Sequence, residues 1–514
     1  MKKVNKLSLA LLLGSLLSVA SCGNPTSSSL SSAPSTNEAP STSEAPTSSE
    51  TPTTSEAPST SEAPSTSEAP TTSEAPSTSE APSTSEAPTP EEKDPVKIVF
   101  YTTMGQKLKD IFNAFLPDFN ALYPHITVEL NTEYGDYDQL RDQVATELSV
   151  GAGPDITFCY PDHVALYNKT RRVVALDDYM DDPDIGLTDD EYYDYIPGYL
   201  EEGYSFGDGK MYTLPWAKST ELLYYNKTVF SNLNLQVPDH WFSNGADDVT
   251  SMEHAMKVLK EAHPDSTPLG YDSESNFFIT MCEQLGNPYT SATGENFLFD
   301  NDDNKDMVNK LKGWRDQGYF TTKALNSNYT SDLFKSQTSY MSIGSSAGAQ
   351  YQLPDKVDGA FPFEMGIAKI PQHDENNKKV ISQGPSICVL DNGDDDKIEA
   401  AWLVAKFFTT NVAFQAEYSI ASGYVPAIQS VMENSVYQNH LNRYNDYTYD
   451  QWAAAYSTKV CMEQVDSYFT SPAFVGSSAA RDAVGNLLIQ YLGGTETNLD
   501  KAFADAIVSC KASQ

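Results

Sequence analysis

The 514-residue chain carries 33 Lys and Arg against 71 Asp and Glu, a formal charge of −38. Residues 1–94 hold four lysines and twelve acidic residues, a net of −8, so the remaining 420 residues carry −30. A surface that acidic repels a phosphate backbone and argues against nucleic acid as a partner, while 30 Tyr and 22 Phe argue against an unstructured acidic body.

At the N-terminus, Lys2, Lys3 and Lys6 precede an apolar run from Leu7 to Leu17 that is too short to span a bilayer. The run ends in Val19-Ala20-Ser21-Cys22, which resembles a bacterial lipoprotein signal and implies lipid on Cys22 as a membrane anchor. From Glu38 to Glu86 a glutamate recurs every six residues, in units such as Ser-Thr-Ser-Glu-Ala-Pro. A proline in each unit forbids helix and sheet, so residues 23–94 are expected to form a disordered, extended tether, on the order of 220 Å at full stretch. Cys159, Cys282, Cys388, Cys461 and Cys510 then remain, an odd number without a C-x-x-C pair. That argues against zinc ligation and a disulfide framework, and for mostly small buried hydrophobes, with one bridge possible between partners the sequence does not choose.

In the body, Val96–Tyr101 is an apolar run suited to a buried strand, and residues 105–122 place Leu108, Ile111, Phe112, Phe115, Phe119 and Leu122 at helical spacing. A strand over Ile126–Leu130, a helix over Tyr137–Val150, a strand over Asp155–Cys159 and a helix from Asp162 to Tyr167 follow. Strands alternating with helices predict an α/β fold with a mostly parallel sheet, whose ligands sit beyond the carboxyl ends of the strands. Further helices are expected over Asn304–Trp314 and Lys397–Phe408, and strands over Ser339–Ile343, Met365–Ile370 and Ile381–Leu390. Beyond Phe408 the pattern is mostly helical.

Motifs for catalysis and cofactors are missing. There is no H-E-x-x-H, G-x-S-x-G or Walker A pattern, and Gly105 stands alone where a dinucleotide fingerprint would need three glycines. Asp300 to Asp306 superficially resembles a calcium loop, but Lys305 takes the place of its glycine and Leu311 that of its bidentate glutamate. Asp394, Asp395 and Asp396 precede a helix and suit its positive end. No cofactor, metal or catalytic residue is assigned. What stands out is a set of aromatic, hydroxyl and glycine segments: Tyr137, Trp216 to Asn226, Gly344-Ser345-Ser346, Gly384-Pro385-Ser386, Ser422 to Pro426, and Arg481. Rings cover apolar C–H faces, hydroxyls pair with hydroxyls and glycines admit close backbone approach, which together suit a small polar solute.

In order along residues 95–514, the chain resembles the family 1 extracellular solute-binding proteins of bacterial ABC importers. The likeness rests on Gly153-Pro154-Asp155-Ile156, Leu214-Pro215-Trp216 running into Leu223-Tyr224-Tyr225-Asn226-Lys227, Met341-Ser342-Ile343-Gly344-Ser345, Ala400-Ala401-Trp402, and Ser422-Gly423-Tyr424-Val425-Pro426. It implies a periplasmic-binding-protein-like (type II) fold of two α/β lobes joined by a hinge, with residues 95–211 plus 360–409 as lobe 1 and 212–359 plus 410–514 as lobe 2. It further implies a monomer that is not an enzyme, held at the cell surface and delivering solute to ABC importer permease subunits.

Among the glycerol-3-phosphate-binding members, the ligand tyrosine, serines, glycine, second tyrosine and arginine match Tyr137, Ser219, Ser345 or Ser346, Gly384, Tyr424 and Arg481. Their glutamate falls on Pro161 here, with Asp162 one residue later, and Trp216 is expected to cover an apolar ligand face. Other members bind oligosaccharides on the same scaffold. A sugar or oligosaccharide is therefore expected first, and glycerol-3-phosphate or a glycerophosphodiester, paired with Arg481, second. A surface carbohydrate hydrolase and a solute-free adhesin are the rival classes.

Overall fold

The structure is a computed structural model that describes residues 93–442 and 448–514. Cys22 and the repeats up to residue 92 lie outside the described residues. The body opens as the sequence pattern predicts. Strand β1 (Val96–Tyr101) leads to helix α1 (Gln106–Leu122), β2 (Ile126–Asn131), α2 (Tyr137–Ser149), β3 (Ile156–Cys159) and α3 (Pro161–Tyr167). β1 pairs in parallel with both β2 and β3. Asp155, 3% exposed, explains the Gly-Pro-Asp motif: its Oδ2 accepts from the Val99 N–H at 2.8 Å and its Oδ1 meets Lys397 Nζ at 3.3 Å. One carboxylate thus ties the start of β3 to β1 and to the helix Asp395–Thr410. Asp394 caps that helix by accepting from the Lys397 N–H, and Asn301 caps the helix Asp302–Asp316 in the same way, so both acidic runs serve helix starts.

Two sheets share the body, and the chain passes between them at adjacent points. β4 (Leu214–Pro215) ends the first sheet, in which β3 is followed by β11 (Ser386–Val389) so that the order is β2-β1-β3-β11-β4, and β5 (Ala217–Asn226) begins in the second. The second contains β5, β6 (Leu269–Tyr271), β7 (Phe320–Thr322), β8 (Met341–Ser345), β9 (Met365–Lys369), β10 (Val380–Gln383), β12 (Val425–Pro426) and β13 (Tyr468–Phe469). The apolar run Ile381–Leu390, expected as one strand, is two: β10 in the second sheet and β11 (Ser386–Val389) in the first. Gly384 at φ +97° makes the break, and a Cβ there would lie 2.4 Å from the Ala217 carbonyl oxygen. Pro385 then accepts from the N–H groups of Trp216 and Ala217 at 3.1 and 3.2 Å, binding the two crossings together.

Each sheet has its own core. The first gathers Phe100, Phe112, Phe158, Trp216, Ile387 and Phe408; the second gathers Leu223, Trp241, Tyr271, Phe277, Ile343 and Leu488. Leu222 and Tyr224 point the other way from Leu223, into a small third core with Phe363, Met365 and Val460. Two boundaries differ from those the resemblance implies. Phe414, Tyr418, Ile428, Val431 and Tyr437 belong to the first core, because Asn411 caps the helix Val412–Ser422 directly after the helix Asp395–Thr410, with no crossing between them. Residues 365–383 belong to the second sheet because β9 and β10 both pair with β5. The five later cysteines are all buried free thiols.

Candidate functional site

The site is assembled where α3, which follows β3, packs on the helix Ser477–Gly493. Asp136 caps α2 by accepting from the Gln139 N–H at 2.9 Å, which sets Tyr137 at the first helical position. Pro161 opens α3, where its missing N–H costs no helical hydrogen bond, and Asp162 follows in the first turn. The departure at Pro161 is thus locally favourable, and it leaves a carboxylate one residue on.

Three tyrosines form one side. The hydroxyls of Tyr137 and Tyr424 are 3.3 Å apart, and the rings of Tyr137 and Tyr160 approach to 4.9 Å between centroids. Burial pushes all three hydroxyls above the usual tyrosine range, so they act as neutral donors and acceptors. Gly423, at φ +77°, ends the preceding helix in a left-handed turn and delivers Tyr424.

Opposite stands Arg481. It donates to Asn276 Oδ1, while Asn276 Nδ2 donates to Glu221 Oε1 at 2.9 Å and Gln383 Oε1 at 2.7 Å. Tyr271 donates to the other oxygen of Glu221. Burial pushes the Glu221 carboxyl up to about 7, against the pull of these donors and of Arg481. Tyr160, Asp162, Glu202, Tyr289, Ser382 and Arg481 line one cavity of about 40 Å3, enough for a few waters. Asp162 Oδ2 and Ser382 Oγ are buried there without a hydrogen-bond partner. Such orphans are costly and mark a place where a partner belongs.

The residues anticipated from sequence divide. Tyr137 and Tyr424 touch each other, and Asp162 and Arg481 line the cavity. Trp216 is instead a core residue: it is 0% exposed and packed against Phe100, Phe158, Phe414 and Tyr418, leaving no face for a ligand. Ser219 is buried on β5 opposite Gln383. Ser345 Oγ accepts from the Ala347 N–H at 3.3 Å, and the fully buried Ser346 Oγ accepts from the Thr220 N–H at 3.2 Å, so both hold backbone. Gly384 makes the break between β10 and β11. Tyr160, Glu202, Asn276 and Gln383 were not legible as site residues. Only Tyr160, two positions before Asp162, carried a signal. Among the described residues, no cluster of three His, Cys, Asp or Glu side chains forms a metal site, and no helix is long and apolar enough to cross a membrane.

Two α/β cores joined by paired crossings, with a polar cavity between an arginine of one and a carboxylate of the other, define a solute-binding class of protein. Residues 114–443 match the family model described as "Bacterial extracellular solute-binding protein", and the chain belongs to that family. It is 21% identical over 361 residues to the multiple sugar-binding protein of Streptococcus mutans, covering 67% of this chain and 78% of that one. It is 22% identical over 359 residues to the sn-glycerol-3-phosphate-binding periplasmic protein of Yersinia enterocolitica, covering 68% and 77%. Its fold is similar to that of UgpB from Mycobacterium tuberculosis in complex with glycerophosphocholine, with a TM-score of 0.64, 17% identity, and coverage of 82% of this chain and 98% of that one.

Proposed function

We propose that this protein is the lipid-anchored substrate-binding component of an ABC importer, capturing a sugar or oligosaccharide between two lobes and delivering it unaltered to a membrane permease. Cys22 carries the lipid, and the repeat tract is the tether. The first lobe is built on the first core and the second on the other sheet, with the hinge at Trp216 and Gly384-Pro385. Asp162 and Tyr137 from the first lobe and Arg481 from the second touch the solute together, so that solute favours the closed form by differential affinity.

The choice of a sugar rests on one observation: Asp162 and Glu202 line the same cavity as Arg481. Sugar hydroxyls donate to carboxylates and accept from a guanidinium, and apolar sugar faces lie on tyrosine rings. A phosphate dianion would meet the Asp162 carboxylate beside its one arginine, since Glu202 is already paired with Lys218. Arg481 itself favours the second reading, a glycerophosphodiester held by a bidentate pair.

A thermal-shift screen of oligosaccharides, glycerol-3-phosphate and glycerophosphocholine tests this. A sugar that stabilises the chain, about 2.7 kcal/mol at a hundredfold excess over Kd, and is recovered unchanged is the expected result. Stabilisation by phosphodiesters alone, abolished in Arg481→Ala, would establish the second reading. Turnover of the hit would establish a hydrolase.

A further inference from the structure

Arg481 stands among acids that are committed elsewhere. Glu202 lines the cleft cavity with it but is paired with Lys218 at 2.5 Å. Asp482, the next residue in the chain, faces Arg141 at 3.6 Å. Glu221 receives Tyr271 on one oxygen and Asn276 on the other. Asp162 remains: its Oδ1 has His163 at 4.0 Å, and its Oδ2 is buried without a partner in the cavity that Arg481 also lines. Among the described residues the Arg481 guanidinium makes one hydrogen bond, to Asn276, and no ion pair.

Asn276 sits in the first turn of the helix Glu274–Gln284, where its N–H donates to the capping Ser273 Oγ at 3.2 Å, and it is only 4% exposed. Its amide is fully used. Nδ2 donates to Glu221 Oε1 at 2.9 Å and to Gln383 Oε1 at 2.7 Å, while Oδ1 accepts from Arg481 and from Gln383 Nε2 at 3.3 Å. The reverse orientation would set N–H groups against the guanidinium and an oxygen against the carboxylate, so one orientation is fixed. Gly485, one turn beyond Arg481, lets the two helices approach, since a Cβ there would lie 2.4 Å from Ser275 Oγ. A carboxylate in contact with Arg481 would form the stronger, charge-assisted bond and neutralise it. A neutral amide in between takes one of five N–H donors and leaves the charge.

We infer that Asn276 is the positioning residue of the cleft: it holds Arg481 off Glu221 and turns the remaining N–H groups towards Asp162, where a solute hydroxyl accepts from one and donates to the other. The inference rests on the sugar reading above and adds to it the residue that makes the arginine available.

Calorimetric titration of the full chain with gluco-oligosaccharides of two to four units, and with glycerophosphocholine, tests this in a double-mutant cycle. Arg481→Met should weaken the tightest saccharide tenfold or more. Asn276→Ala, which releases the guanidinium, and Asn276→Asp, which pairs with it, should each lose nearly as much in the wild-type background and less than twofold in Arg481→Met. A residue that only supports the fold would lose the same factor in both backgrounds. That result, or wild-type affinity in both Asn276 variants, would overturn the positioning role while leaving the sugar reading intact. Asn276→Asp keeps the side-chain volume, so the cycle stands if the alanine variant does not fold. The same coupling with glycerophosphocholine, and no saccharide bound, would uphold Asn276 and overturn the sugar reading; binding of neither class would overturn both.

Discussion

Arg141 Nη1 donates to Ser478 Oγ at 3.1 Å, joining α2 of the first core to the helix that carries Arg481. The same guanidinium reaches Asp482 at 3.6 Å and is held on its own helix by Asp138 and Asp142. It is only 7% exposed, so this contact between the cores is shielded from solvent. It holds the helix that carries Arg481 against the first core.

Arg141 is therefore expected to act as a latch on the closed arrangement. In Arg141→Met, the loss of charge-assisted bonds should cost closure about 1.5–3 kcal/mol. The radius of gyration of the solute-free chain, measured by X-ray scattering, should increase, and affinity for any solute found should fall about tenfold or more. An unchanged scattering profile would count against the latch.

Gly384 is required by conformation and space together. Its φ is +97°, and an added Cβ would lie 2.7 Å from Lys218 Cα as well as against the Ala217 carbonyl. Gly384→Ala should lose more than the roughly 1–3 kcal/mol of backbone strain alone, seen as a lower urea midpoint. Gly198→Ala, which meets no atom, is the matched control.

A buried ion pair secures the same crossing. Lys218 and Glu202 are 0% and 4% exposed, with Lys218 Nζ 2.5 Å from Glu202 Oε1. Ser386 Oγ, on β11, accepts from Lys218 at 2.8 Å and meets Glu202 at 3.0 Å. Lys218→Met should destabilise the chain by about 3–5 kcal/mol by stranding a buried carboxylate, and adding Glu202→Gln should restore most of that loss. A double-mutant cycle in denaturant measures it, and additive losses would refute the coupling.

Glu221 makes stability depend on pH. Its carboxyl is pushed up from 4.5 to about 7, so between those values the folded chain holds a proton that the unfolded chain has released. Stability therefore falls as pH rises through this window, by a few kcal/mol at most. His163 opposes it. Burial lowers that imidazole to about 4, so its share of stability grows as pH rises towards 6.5. The difference between wild type and Glu221→Gln isolates the first effect: the wild type should lose stability relative to the variant from pH 4.5 to 7. Parallel profiles would place the Glu221 carboxyl in its ordinary range.

The elements before residue 170 were legible because their apolar spacing is local: Phe112 and Phe119 face the core from α1 as their helical period requires, and Ile98 and Phe100 do so from β1. The run Ile381–Leu390 misled because every strand segment in it is buried, so nothing in its hydrophobicity marks a change of sheet. Gly384-Pro385 was the only trace of that change. Trp216 misled for a related reason, since an aromatic beside a proline reads the same whether it faces a solute or fills a core.

The order of strands and helices before residue 170 and the acidity of the chain were determined by sequence alone, since periodicity and charge act over a few neighbouring residues. Which polar groups converge was decided only by tertiary structure. Arg141 meets Ser478 across 337 positions and Asn276 meets Arg481 across 205, and no local pattern encodes separations of that length.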